Sequence, residues 1–162
     1  MGFKVASHAE GLDGIKLSVE AGVDTLEHGE MGYRDPQVLE AMAEKGVILV
    51  PTLCVFEAVA NAKASFPQWM LDQAQRLGES ALKTVGAARK AGVMMAMGAD
   101  AGPHGENARE LGYMVEDGMS PASALIAATV SAAQVLELGS EIGTLERPAL
   151  VMRAGIVYKP AR

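Results

Sequence analysis

Cysteine is almost missing from this chain. Cys54 is the only one in 162 residues, so no intramolecular disulfide can form. That fits a reducing compartment. Basic residues are in deficit, with 14 Lys and Arg against 20 Asp and Glu, and the net charge is −6. With no Lys/Arg cluster to offset it, this balance argues against a nucleic-acid partner. No apolar run approaches the ~20 residues that span a bilayer. The first residues also lack the basic and apolar regions of a secretory signal. A cytoplasmic location with no membrane partner is therefore expected. Aromatic residues are few, at 4%, and there are only three histidines. Hydrophobic residues make up 49% of the chain, and 18 glycines accompany many alanines. This is a globular composition, long enough for one domain with a sizeable core and close helix-on-strand packing.

Short apolar runs alternate with helical patterns. Phe3 to Ser7 predicts a strand ending at His8. Leu12, Ile15 and Val19 then recur at helical spacing up to Gly22. Val23 to Glu27 predicts a second strand, ending at His28. Asp35-Pro36 is a helix start, with Asp as N-cap and Pro in the first turn. Val47 to Val50 is apolar throughout, as a parallel strand buried on both faces should be. Residues 54–68 predict a loop or short helix over one end of the sheet. A long helix is expected from Gln68 to Ala91, with Leu71, Ala74, Ala81, Leu82, Val85 and Ala88 inward. Val93 to Met97 predicts a fourth strand, leading to Asp100. Residues 107–117 predict a helix with Leu111, Met114 and Val115 inward. Ser120-Pro121 opens another, with Ala124, Leu125, Ala128, Ala132 and Val135 on one stripe. The tail predicts a hairpin around Ala154-Gly155.

Strands separated by helices indicate an α/β fold of parallel βα units. A complete eight-stranded barrel takes about 250 residues. Four such units are consistent with either a small open sheet or half a barrel.

His8, His28 and Asp100 each fall just past the end of a predicted strand, and the carboxyl ends of strands are where α/β folds carry their active sites. Singly, each is more simply a polar residue satisfied by backbone. As a trio at matched positions they point to a site. Two imidazoles and a carboxylate can hold Zn²⁺ with a position open for water, and they also suit Fe(II). Glu10, Glu27 and Glu30 flank the histidines and are candidate outer acceptors, although solvated side chains are the simpler expectation for most of them. Cys54 reads as a buried, inert thiol.

The segments VASHAEG (5–11), DTLEHG (24–29), VILVPTL (47–53) and GADAGPHGENARELGYMVEDGMSPASAL (98–125) resemble successive parts of the amidohydrolase superfamily. The likeness is to its imidazolonepropionase-like and Xaa-Pro dipeptidase-like members, and it extends over roughly residues 1–145. It implies the C-terminal half of a TIM-type barrel over residues 1–138, with 139–162 a remnant of the small β-domain. It also implies that His8 and His28 are ligands of a divalent metal, most simply Zn²⁺, from the fifth and sixth barrel strands. Asp100 would be the eighth-strand aspartate, both metal ligand and proton shuttle, and His104 a loop residue near the substrate. The implied reaction is hydrolysis of a carbon–nitrogen bond in a small amide or dipeptide-like substrate by metal-activated water.

The family's first-strand His-x-His pair and its fourth-strand bridging Lys or Glu have no counterpart here. In a flat sheet the first and fourth strands would also stand ~14 Å apart, so Asp100 can join the histidines only if the sheet curls. A homo-oligomer, or association with a missing N-terminal half, is therefore expected. The alternative to an enzyme is a non-catalytic barrel remnant that needs a partner chain. A phosphate-binding βα enzyme finds no support, because no Gly-rich strand-to-helix loop is present.

Overall fold

A computed structural model describes residues 2–62, 65–100 and 107–144, together with the backbone of 151–153 and 156–159. Its first part is a regular βα alternation. Strand β1 (Ala6–Ala9) leads to helix α1 (Leu12–Ala21), and β2 (Thr25–His28) leads through a 3₁₀ turn (Gly32–Arg34) to α2 (Pro36–Lys45). Strand β3 (Ile48–Val50) is followed by α3 (Cys54–Asn61) and the long α4 (Gln68–Ala91). Helices α5 (Arg109–Glu116), α6 (Pro121–Ile126) and α7 (Ala132–Val135) come next, and β4 (Val151–Arg153) with β5 (Ile156–Lys159) closes the chain.

The three central strands are parallel in the order β1-β2-β3. Their register pairs His8 with Glu27 and Ala9 with His28, so the two histidines sit one residue out of register at the carboxyl ends of adjacent strands. Local chemistry sets the helix boundaries. The Asp35 carboxylate accepts the Gln37 N–H at 3.0 Å and opens α2. Gly22 and Gly46 end α1 and α2 at φ 77° and 71°, a left-handed turn that costs glycine little. Ile15 and Val19 of α1, Leu39 and Met42 of α2, and Ala81, Val85 and Ala88 of α4 form one core against Leu26 and Leu49 of the sheet.

The structure corrects the sequence reading at several points. The histidines lie inside their strands rather than just past them. The fourth strand contracts to a single parallel bridge, Leu49 to Met95. Beyond it, the Met97 N–H donates to the Ala127 carbonyl of the following helical segment instead of extending a ladder. That segment is not a continuous α-helix, because a π turn (Ala127–Ser131) separates α6 from α7. A π turn rotates everything after it relative to an α-helical stripe. Ala124, Ala127, Ser131 and Ala133 are buried, whereas Leu125 is 51% exposed. Leu82, expected inward on α4, is 39% exposed, and the buried polar residues Ser80 and Thr84 share the inner face. The C-terminal pair β4-β5 is antiparallel, as a hairpin requires, with its connecting residues 154–155 outside the described set. Among the described residues no helix is long and apolar enough to cross a membrane.

Candidate active site

His8, His28 and Asp100 converge. The two imidazole rings meet edge to face with centroids 4.3 Å apart. His28 Nε2 lies 4.0 Å from Asp100 Oδ2, although β3 separates their strands. The sheet therefore curls enough to overcome the spacing that a flat arrangement would impose. His104 lies outside the described residues.

Three of the four non-glycine residues with positive φ among the described residues meet at this point. They are His28 (φ 71°), Thr52 (φ 51°) and Asp100 (φ 44°). A left-handed backbone costs an L-residue roughly 1–2 kcal/mol, and it is most unusual for a β-branched one such as Thr52. Such strain persists where surrounding contacts dictate it, and it gathers at functional sites. One of those contacts is a hydrogen bond between Thr52 Oγ1 and His28 Nδ1, at 2.7 Å. With Nδ1 engaged, the free ring nitrogen is Nε2, which faces Asp100.

The environments of the two histidines differ. His28 is buried, whereas the His8 side chain is 69% exposed and lies 3.6 Å from Glu10. Burial holds the His28 pKa below its ordinary value, and proximity to His8 lowers it further, with the carboxylates of Asp100, Glu10 and Glu27 in partial opposition. The neutral ring favoured by this balance is the form that binds metals.

Glu30 is a correction to the expectation of solvated flanking carboxylates. It is only 2% exposed, and its Oε2 has no hydrogen-bond partner. Burial pushes its pKa up to about 7, and the Glu10 charge adds to the rise. Glu30 lines a cavity of about 230 Å³ with His8, Glu10, His28 and Asp100. The rest of the lining comes from Val55, Phe56 and Val59 of α3 and from Met70, Gln73, Ala74 and Leu77 of α4, apolar apart from Gln73. The loop-or-helix segment of the sequence reading thus forms one side of the site.

Two further residues escaped the sequence reading. Thr52 gave no signal beyond its place after a strand. Glu110 did give one, as an acid on the helix face that carries Met114, and it is fully buried. Cys54 is buried as expected. Its thiol donates to the Ala99 carbonyl at 3.1 Å, and burial with the Glu110 charge pushes its pKa up to about 11.

Chemically, the residues fit a divalent metal. They offer two adjacent imidazoles, one with its remote nitrogen already engaged, and a carboxylate within reach of the other nitrogen. As they stand, no group of three or more His, Cys, Asp or Glu side chains among the described residues is drawn tightly enough to enclose an ion.

Comparisons with known proteins agree with this geometry. The amidohydrolase family profile matches residues 1–147. Ochratoxinase from Aspergillus niger is 39% identical over 130 residues, which cover 79% of this chain and 27% of that protein. Its crystal structure superimposes with a TM-score of 0.75 at 31% identity, over 97% of this chain and 42% of the other. A Xaa-Pro dipeptidase solved with methionine bound in its active site gives a TM-score of 0.81 at 31% identity, over 98% of this chain and 45% of that one. The chain thus spans from about a quarter to under half the length of these relatives. Sequence and architecture together place this chain in the amidohydrolase family.

Proposed function

We propose that this chain carries the C-terminal part of a metal-dependent hydrolase that cleaves carbon–nitrogen bonds in small amide or dipeptide-like substrates. The observation that carries the reading is the convergence of His8, His28 and Asp100, with His28 and Asp100 both in left-handed backbone geometry. In this reading His8, His28 and Asp100 hold one divalent ion, with Zn²⁺ the best match to the donors. Bound there, such an ion supplies Lewis-acid polarisation of a carbonyl and acidification of water.

The remaining work falls to the chain's own side chains. Thr52 fixes the His28 ring, and burial keeps that ring neutral. Asp100 is exposed to the cavity and is the proton carrier. As water adds to the substrate carbonyl, its carboxylate takes one proton. It returns that proton to the leaving nitrogen as the C–N bond breaks, which yields an acid and an amine. The α3–α4 lining is apolar apart from Gln73 and shares the cavity with these residues, so it receives an apolar side chain of the substrate. His104 is assigned a substrate contact on the family resemblance alone. In this reading residues 1–138 are the barrel part and 139–162 a remnant of the small β-domain or C-terminal tail.

Elemental analysis of the purified chain tests the reading, together with a hydrolysis screen of dipeptides and N-acyl amino acids bearing apolar or charged side chains. Stoichiometric zinc, lost in His8→Ala and His28→Ala, and turnover that favours apolar side chains are expected. Well-folded protein without metal affinity, or turnover that survives Asp100→Ala, would overturn it.

A further inference from the structure

The corner between β3 and α3 touches both halves of the site. Thr52 contacts His28 through its hydroxyl, at 2.7 Å from Nδ1. Two residues on, the Cys54 thiol donates to the carbonyl of Ala99, the residue before Asp100. One short turn therefore connects to a candidate ligand on one side and to the backbone leading into a second on the other.

The corner is itself held from α5. Glu110 Oε1 accepts the Leu53 N–H at 2.8 Å, and Oε2 accepts the Cys54 N–H at 2.8 Å. These amides begin α3, where a helix has N–H groups without partners inside the helix. The side chain is fully buried, and a carboxylate withdrawn from water is costly unless its oxygens are engaged. Charge-assisted bonds to two successive amides meet that requirement. They also fix the peptide planes immediately after Thr52, whose φ of 51° a threonine does not adopt unaided.

We propose that Glu110 is a positioning residue for the site: by clamping the Leu53 and Cys54 amides it holds Thr52 in left-handed geometry, and through Thr52 and Cys54 it sets the His28 ring and the approach of Asp100. Its consequence for metal affinity rests on the function proposed above, whereas the contact chain from Glu110 to His28 does not.

The test uses the full chain and three substitutions. Thr52→Val removes the hydroxyl and keeps the shape. Glu110→Gln leaves one acceptor oxygen and sets an NH₂ donor against the second amide. Glu110→Asp keeps both acceptors on a side chain one methylene shorter, and it decides the matter if the Gln variant does not fold. The first readout is the ¹⁵N shifts of the His28 ring in metal-free protein. Thr52→Val is expected to move the Nδ1 signal, and the Glu110 variants to move the same signal. Val85→Ala, a core change in α4, should leave it in place. The second readout is zinc affinity by chelator competition. Each variant should bind about 10–100-fold more weakly. The Thr52→Val/Glu110→Gln double variant should be no weaker than the poorer single, since both act through one chain of contacts.

His28 signals that stay at wild-type positions in folded Glu110 variants would overturn the proposal, as would losses of affinity that simply multiply in the double variant. If the wild-type chain binds no zinc, the metal reading fails, and the His28 shifts alone decide the role of Glu110.

Discussion

Replacing Gly98 with alanine puts a methyl carbon 2.5 Å from Val50 Cγ1, with Thr52 Cγ2 at 3.8 Å and Val50 Cβ at 4.0 Å. Non-bonded carbons settle at about 3.5–4.0 Å, so roughly 1 Å of overlap must be relieved against a single methyl group. Val50 is poorly placed to yield. It is buried in β3, packed with Ile48 and Ala96, and its branched Cβ leaves few χ1 choices. Gly98 is not among the glycines with positive φ, so no left-handed backbone penalty adds to the clash. Overpacking of this kind costs about 1–3 kcal/mol. Val50→Ala alone removes two buried methyl groups and costs about 2 kcal/mol. It also removes the atom that Gly98→Ala strikes. The double variant should therefore lose about 2 kcal/mol rather than the sum of the two singles, a coupling of about 1–3 kcal/mol. Urea unfolding of the four proteins with a common slope gives the numbers. A neutral Gly98→Ala, or costs that add to within about 0.5 kcal/mol, would refute the claim that close contact with β3 requires glycine before Asp100.

Two other predictions concern buried ionisable groups. The Glu30 pKa is raised from an ordinary 4.5 to about 7, so the folded state holds that proton more tightly than the unfolded chain does. The stability linked to Glu30 is thus complete below pH 4.5 and falls as pH rises through 7, by up to about 3 kcal/mol. Glu30→Gln should remove that part of the slope, and the difference between wild type and variant in urea midpoints at pH 5 and pH 8 measures it. An identical pH dependence in both proteins would show that Glu30 is not held protonated by its surroundings. Cys54, with its pKa near 11 and its thiol bonded to Ala99, should have only about one thiolate in a thousand at pH 8. Iodoacetamide should label it slowly in the native protein and rapidly in denaturant, and fast native labelling would contradict the buried placement.

Much of the framework was legible because its signals are local. Asp35-Pro36 opens α2 and Gly46 ends it, and the 24 residues of α4 begin at Gln68 and end before Gly92, all within a few positions of the residues responsible. The polar residues His8, His28 and Asp100 at strand ends marked one face of the sheet, and the resemblance named its family. Periodicity failed where the helix period itself changed. Past the π turn at Ala127–Ser131 the buried alanine is Ala133 rather than Ala132. It failed again where a strand lost its ladder, leaving only Met95 bridged to Leu49.

The sequence by itself determined the elements, their order and the residue types at the strand ends, because hydrophobic spacing and capping act over a few residues. Tertiary structure alone decided which polar atoms meet. Glu110 reaches Leu53 across 57 positions, and His28 reaches Thr52 across 24. Glu30 differs from Glu10 and Glu27 only in where its side chain ends up. Those outcomes depend on how far the sheet curls and on the left-handed turns at His28, Thr52 and Asp100. Three such turns in non-glycine residues are unfavourable locally, so only the contacts of the assembled fold can hold them.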